Sequence, residues 1–203
     1  SSINGMIYMR GQARDYDYWR QLGNFGWSWD DVLPYFVKSE DQAAVPIDDL
    51  HGEGGEWRVE KQRLSWKILD AFRDAAGQAG IPMTDDFNRG NNEGCGYFHV
   101  NQRRGWRWST SKGFLDPAKS RTNLQVLTQA QVKKLTIENG RVTGFIMQLN
   151  GEDAVIHASK EAILAAGAIG SPHLLQLSGI GPAPLLREHG LSLIHISEPT
   201  SRY

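Results

Sequence analysis

The feature that most constrains this chain is a pair of Asn-Gly steps set among residues of alternating polarity. Val132–Ile137 and Arg141–Gln148 flank Glu138-Asn139-Gly140, and Asn150-Gly151-Glu152-Asp153 turns the chain again into Ala154–Ala158. Asn and Gly tolerate the positive φ that a two-residue hairpin turn requires, so this spacing predicts antiparallel strands. Leu124–Leu127 reads as a further strand ahead of them. The meander feeds Ala162-Ile163-Leu164-Ala165-Ala166, a continuous apolar run that suits a strand buried on both faces. Gly167-Ala168-Ile169-Gly170 follows, and Ser171 with Pro172 then makes an N-cap and first-turn pair for a helix through Leu174, Leu175 and Leu177.

The earlier part of the chain reads differently. Ser28 with Asp31 three residues on marks a helix start, with Val32, Leu33 and Phe36 as its apolar stripe. Pro34 removes a backbone donor there, which predicts a kinked or late-starting helix. Asp48–Gly55 is a polar, glycine-rich loop and Glu56–Val59 a short strand. From Ser65, the spacing of Ile68, Leu69, Phe72, Ala75, Ala76 and Ala79 is helical; Gly80 closes it and Pro82 lies just beyond. Asp85–Arg104 is loop-like, and Gly113–Ala118 begins a short helical turn. The order is mixed α and β, without an internal repeat.

Composition narrows the function classes. Of 203 residues, 40% are hydrophobic and 22% charged, which excludes a wholly disordered chain. Mean hydropathy is −0.46, and no apolar run approaches the roughly 20 residues of a membrane span. A net charge of −1 with pI near 6.6 gives no general attraction to nucleic acid. The single cysteine, Cys95, has no internal disulfide partner, and nothing joins it in a metal site. Seven Trp and 22 Gly point to aromatic packing around tight turns. The chain opens at Ser1-Ser2-Ile3-Asn4-Gly5 without Met, already inside a glycine-bearing turn, and so reads as a piece whose own N-terminus lies upstream. The lack of a signal peptide therefore says nothing about localisation. At the other end, LSLIHISEPT (191–200) coincides with the conceptual translation of a transposon adapter used in sequencing libraries. Residues 191–203 are accordingly read as a non-native tail, and His195 is given no functional weight.

The unit from Ala162 to Leu177 has chemistry of its own. Small residues after a strand let a ligand approach the backbone, and a helix N-terminus offers N–H groups and positive dipole to an anion. Taken alone, a plain packed turn accounts for AAGAIGSP better. The opening stretch adds to it: Ser1-Ser2-Ile3-Asn4-Gly5-Met6-Ile7-Tyr8-Met9-Arg10-Gly11, then Asp15-Tyr16-Asp17-Tyr18-Trp19. This resembles the N-terminal signature of the glucose–methanol–choline (GMC) oxidoreductases. Gly167-Ala168-Ile169-Gly170-Ser171-Pro172-His173-Leu174-Leu175-Gln176-Leu177-Ser178-Gly179-Ile180-Gly181 is similar to the second signature of that family. Asn123-Leu124-Gln125-Val126 with Ala130 and Val132 is similar to its Pro-Asn-Leu-x-Val segment, Thr122 standing in place of Pro. Ser109-Thr110 and Phe114-Leu115-Asp116-Pro117-Ala118 match its choline and alcohol dehydrogenase branch.

The resemblance implies a mixed α/β fold comprising part of a GMC-type FAD-binding domain and part of an antiparallel-sheet substrate domain. Residues 1–60 would belong to the FAD-binding domain and 61–120 to the substrate domain and cleft loops. Residues 121–190 would supply the FAD-binding domain's meander and strand–turn–helix. It further implies an FAD-dependent oxidation of a primary alcohol, choline-like or aliphatic, to an aldehyde, in a protein of which this chain is a fragment. Asn4, Gly5, Met6 and Ile7 would lie along the flavin, and Val132 would contact the adenine end through its backbone. Family members with covalent flavin carry His where Ile3 stands, so the FAD is expected to be non-covalent. The dinucleotide fingerprint GxGxxG and the catalytic His pair have no counterpart here, so no catalytic residue and no metal ligand is assigned. His99 reads as structural or pocket-lining, and His173 occupies a variable position. Arg103-Arg104-Gly105-Trp106-Arg107-Trp108 could bind phosphate and stack bases. Alternatively its arginines stack on tryptophans near the cofactor or substrate cleft; the neutral charge and the resemblance favour that second reading. The remaining alternatives are an oxidase of the same family and a non-catalytic nucleotide- or RNA-binding module.

Overall fold

The computed structural model describes residues 4–193. The chain divides into two compact units, Ser1–Leu124 and Gln125–Tyr203. The non-native tail expected from residue 191 lies outside the described residues from 194 onward.

In the first unit, helix α1 (Ala13–Gln21) and helix α2 (Trp29–Ser39) precede strand β1 (Glu40–Gln42). Helix α2 opens on the reciprocal cap that its sequence spells: Asp31 N–H donates to Ser28 Oγ, and Ser28 N–H to the Asp31 carboxylate. It starts at Trp29, so the late start anticipated from Pro34 does not occur, and it runs through Pro34 to Ser39. Aromatic packing grips both halves of α2. The Tyr16 ring of α1 lies 5.8 Å from Trp29 and 5.7 Å from Phe36, while Trp19 meets Trp27 edge-on.

Strand β1 pairs in parallel with β2 (Trp57–Lys61), which pairs antiparallel with β3 (His99–Val100). The loop from 51 to 55 returns so close beneath the end of α2 that glycine is required. A Cβ on Gly52 would overlap the Val37 carbonyl, and one on Gly55 the Ser39 carbonyl. Helix α3 (Lys67–Gln78) ends before Gly80, whose φ of +84° stops the helix as the sequence predicts. Its periodicity does not translate into burial within this unit. Ala76 is buried, whereas Ile68 and Phe72 are 71% and 69% exposed. Strands β4 (Gln102–Arg103) and β5 (Trp106–Arg107) form a small hairpin, followed by a π-helical turn over Ser111–Leu115 and α4 (Asp116–Ala118).

The second unit is a meander of β6 (Ala130–Glu138), β7 (Arg141–Leu149) and β8 (Glu152–His157), followed by α5 (Gly167–Leu177) and α6 (Ala183–Glu188). Both Asn-Gly turns form as expected, with positive φ at both positions: 51° and 76° at Asn139-Gly140, 52° and 93° at Asn150-Gly151. Met147 and Leu135 are buried on this sheet, and Leu135 N–H donates to Ser178 Oγ at the end of α5. Two strand expectations fail. Leu124–Leu127 is not a strand, and 162–166 has no strand partner, with Ile163 81% exposed. A strand buried on both faces exists only with neighbours beside and above it, and no described strand pairs with this run. Helix α5 also begins earlier than expected, at Gly167 with Ala166 as its N-cap. Ser171 and Pro172 therefore lie inside the helix rather than at its N-cap and first turn, and Ser171 Oγ accepts the Ala166 N–H at 3.0 Å. No helix among the described residues is long and apolar enough to cross a membrane.

Candidate functional site

The residues from Asn4 to Met9 form one wall of a cleft of about 630 Å³ in the first unit. That volume lies within the range of small-molecule sites, roughly 300–1,000 Å³. Opposite walls come from Phe36 and Ser39 at the end of α2, Trp57 at the start of β2, and Arg107 to Thr110 with Phe114 after the β4–β5 hairpin. Trp57 and Phe114 stack with ring centroids 5.4 Å apart. The Trp108 indole N–H donates to the Glu56 carbonyl at 2.8 Å, and its backbone N–H to the Asn101 carbonyl at 2.9 Å, so this wall is fixed from two sides. Arg103 lies over the Trp108 ring at 5.2 Å, the arginine–tryptophan stacking expected of this loop.

The segment 4–9 is shaped by its own backbone. Met6 takes φ 64°, a left-handed conformation that a non-glycine residue rarely adopts. Its carbonyl accepts the Asn101 N–H at 2.7 Å, and Tyr8 N–H donates to the His99 carbonyl at 2.9 Å. Gly5 has only Ile7 side-chain atoms near where a Cβ would stand, so its backbone is open to the cleft.

Behind this wall lies a buried polar core that the sequence did not suggest. Arg10, 2% exposed, fans its guanidinium to the Tyr8 hydroxyl, the Leu50 carbonyl and Glu40 Oε2, the last at 2.9 Å. Its backbone N–H donates to Asn88 Oδ1, and Asn88 Nδ2 donates to the Tyr8 carbonyl. Glu40, fully buried, also accepts from Gly52 N–H, Gln42 Nε2 and His51. His51 is equally buried, with Nδ1 3.1 Å from Glu40 Oε2 and Nε2 2.8 Å from Asp86 Oδ2. Burial alone would lower the His51 pKa, but hydrogen bonds to Asp86 and Glu40 outweigh it and raise the value to about 9. Burial would raise the Asp86 carboxyl, yet the His51 hydrogen bond leaves it below the usual aspartate value. Burial pushes the Tyr8 phenol up to about 12.

Of the residues assigned from the sequence, Asn4, Gly5, Met6 and Ile7 come together on the cleft wall. Val132 belongs to the second unit, half-buried on β6 opposite Met147. His99 is 5% exposed on β3 with its Nδ1 lacking a partner, and burial lowers its pKa. His173 is exposed on α5. Trp57, which the sequence does not single out, and Phe36, read there only as part of an apolar helix stripe, complete the cleft, for nothing local distinguishes them from core aromatics. Among the described residues no group of three or more His, Cys, Asp or Glu is arranged to hold a metal ion.

Comparison with known proteins gives a consistent picture. The family model described as GMC oxidoreductase matches residues 1–196. An oxygen-dependent choline dehydrogenase of Sinorhizobium fredii is 42% identical over 193 residues, covering 95% of this chain and 35% of that relative. Among solved structures, pyridoxine 4-oxidase from Mesorbium loti superposes with a TM-score of 0.87 at 31% identity, over 96% of this chain and 38% of its own. An FAD-dependent oxidoreductase from Chaetomium thermophilum gives 0.85 at 31% identity, over 94% and 35%. The chain thus spans about a third of the length of the proteins it matches. With its opening segment, its cleft, its meander and helix α5 all inside the matched span, the chain belongs to the GMC oxidoreductase family.

Proposed function

We propose that this chain supplies part of the flavin cleft of an FAD-dependent oxidoreductase that converts a primary alcohol, choline-like or aliphatic, to an aldehyde. The observation that carries the reading is the cleft itself. An open glycine backbone at Gly5 faces Trp57, Trp108 and Arg107, in a chain whose relatives include choline dehydrogenases. A flat aromatic cofactor with a polar edge fits such a cleft, since the backbone admits close approach while the indole walls exclude water. When bound, FAD supplies the hydride acceptor, and the protein's part is to orient the alcohol and tune the ring. Asn4, Gly5, Met6 and Ile7 would hold the flavin portion and Val132 the adenine portion. Ile3 in the sequence has no nucleophilic atom to bond to the ring, which supports non-covalent FAD. In domain terms, residues 1–60 and 121–190 would contribute to the FAD-binding domain and 61–120 to the substrate domain. A second reading passes the electrons to oxygen, favoured by the oxidase named among the structural neighbours.

The test uses the coding sequence recovered on both sides of this segment. Anaerobic addition of choline or a simple primary alcohol to the purified flavoprotein will bleach the visible flavin absorbance. Aerobic turnover with and without an artificial dye then separates oxidase from dehydrogenase. The 203-residue chain alone will neither reduce a dye with alcohol nor retain FAD through gel filtration. A flavoprotein left unbleached by every primary alcohol tried would overturn the substrate class, and dye reduction by the chain alone would overturn the division of labour.

A further inference from the structure

We infer that His51 is a positioning residue, held as an imidazolium between two carboxylates, whose charge latches the cleft-forming segment from Met6 to Arg10 in place. The geometry favours the charge, for the Gln42 amide nitrogen stands farther from Nδ1, at 3.4 Å, than the Glu40 carboxylate does. Both ring nitrogens face carboxylate oxygens, Nδ1 at 3.1 Å from Glu40 and Nε2 at 2.8 Å from Asp86. A carboxylate can only accept, so both nitrogens must donate, and only the doubly protonated ring does that. Arg10, Glu40, His51 and Asp86 together form a neutral quartet, the first three buried and Asp86 partly so, and opposite charges side by side are what permit ionised groups there.

The latch reaches the cleft by short steps. Glu40 holds the Arg10 guanidinium, which lies 5.4 Å over the Phe36 ring and donates to the Tyr8 hydroxyl. Phe36, Tyr8 and Ser39, the residue before Glu40, all line the cleft. Asp86 sits two residues before Asn88, whose side chain grips the backbone on both sides of Met9. Losing the proton from His51 would leave Glu40 with Arg10 and Asp86 with the more distant Arg89 as their cations. The other charged or titratable groups around the ring cannot replace it. From the loop before it, Asp48 is paired with Arg89, and Arg89 reaches Asp86 only at 3.7 Å. From the opening segment, Tyr8 is a neutral phenol up to about pH 12. From β3, His99 has a lowered pKa and is neutral when His51 titrates. Because the bound value of His51 is raised, the latch is complete below its unperturbed pKa of about 6.5 and opens as pH rises through about 9. The inference bears on catalysis only through the flavin-cleft reading, but the movement it predicts needs no cofactor.

The experiment is an NMR titration of the 203-residue chain carrying methyl-labelled methionine and nitrogen-labelled histidine. At neutral pH the His51 ring should show both nitrogens protonated. As pH rises from neutrality through about 9, the Met6 and Met9 methyl signals should move with the same midpoint as that ring, while Met147 in the second unit stays fixed. His51→Gln should place Met6 and Met9 at their alkaline positions at every pH. The wild-type titration decides the matter even where that variant does not fold. A neutral His51 ring at neutral pH, or Met6 and Met9 signals that ignore its titration, would overturn the latch. Collapse of all four methyl signals together would overturn it as well, since protonation would then hold the fold rather than the cleft wall.

Discussion

Replacing Glu40 by alanine will unfold the first unit in conditions where the unaltered chain is folded. Glu40 is completely buried and takes hydrogen bonds from Arg10, His51, Gly52 and Gln42. Its removal leaves Arg10 buried without its carboxylate partner and His51 with Asp86 alone. Breaking a buried ion pair by deleting one partner costs about 3–5 kcal/mol, because the remaining charge is stranded. Glu40→Gln should cost less, since the amide oxygen still accepts from Arg10 and Gly52 while the stranded charge is not relieved. Urea denaturation followed by tryptophan fluorescence measures this cleanly, for all seven tryptophans lie between Trp19 and Trp108 and so within the first unit. An unchanged midpoint for Glu40→Ala would mean that the quartet is dispensable for folding.

The second large effect belongs to the other unit. Met147 is 1% exposed at the centre of the meander, paired with Val132 on β6 and Ala154 on β8. Met147→Ala removes most of a side chain from a site with strands on both sides, and such truncations cost about 2–5 kcal/mol. The second unit contains no tryptophan, so its unfolding must be followed by far-UV circular dichroism. The expected result is a lowered midpoint by that measure with the tryptophan transition unmoved. Equal shifts in both would show that the two units unfold as one.

How much of this was readable in the sequence depended on how local the chemistry is. The two Asn-Gly turns, the Ser28–Asp31 cap and the Gly80 stop rest on residues within a few positions of one another, and all three are present. The expected strands at 124–127 and 162–166 rested on apolar character alone. A strand is completed by a neighbour, and among the described residues neither run has one. Pro34 misled because its local cost is offset where the Tyr16 ring of α1 packs on α2 both before it, at Trp29, and after it, at Phe36. At the candidate site, Asn4 to Ile7 are proposed from a long contiguous signature and line one cleft. Trp57, Phe36 and the quartet were not proposed, since Arg10, Glu40, His51 and Asp86 each sit among ordinary polar neighbours and meet only through the fold. The one available clue was the spacing of Gly52 and Gly55 just after His51, which marks a loop that must pass close beneath another backbone.

If the Asn4–Met9 wall receives a flavin ring, the ring's own magnetic field reports it. Methyl spectra of methionine-labelled protein, expressed with its flanking coding sequence, should be compared before and after saturation with FAD. Large shifts of the Met6 and Met9 methyl signals are expected, because both residues line the cleft that a flat aromatic ring would enter. Saturation with FAD that leaves both signals where they were would contradict it.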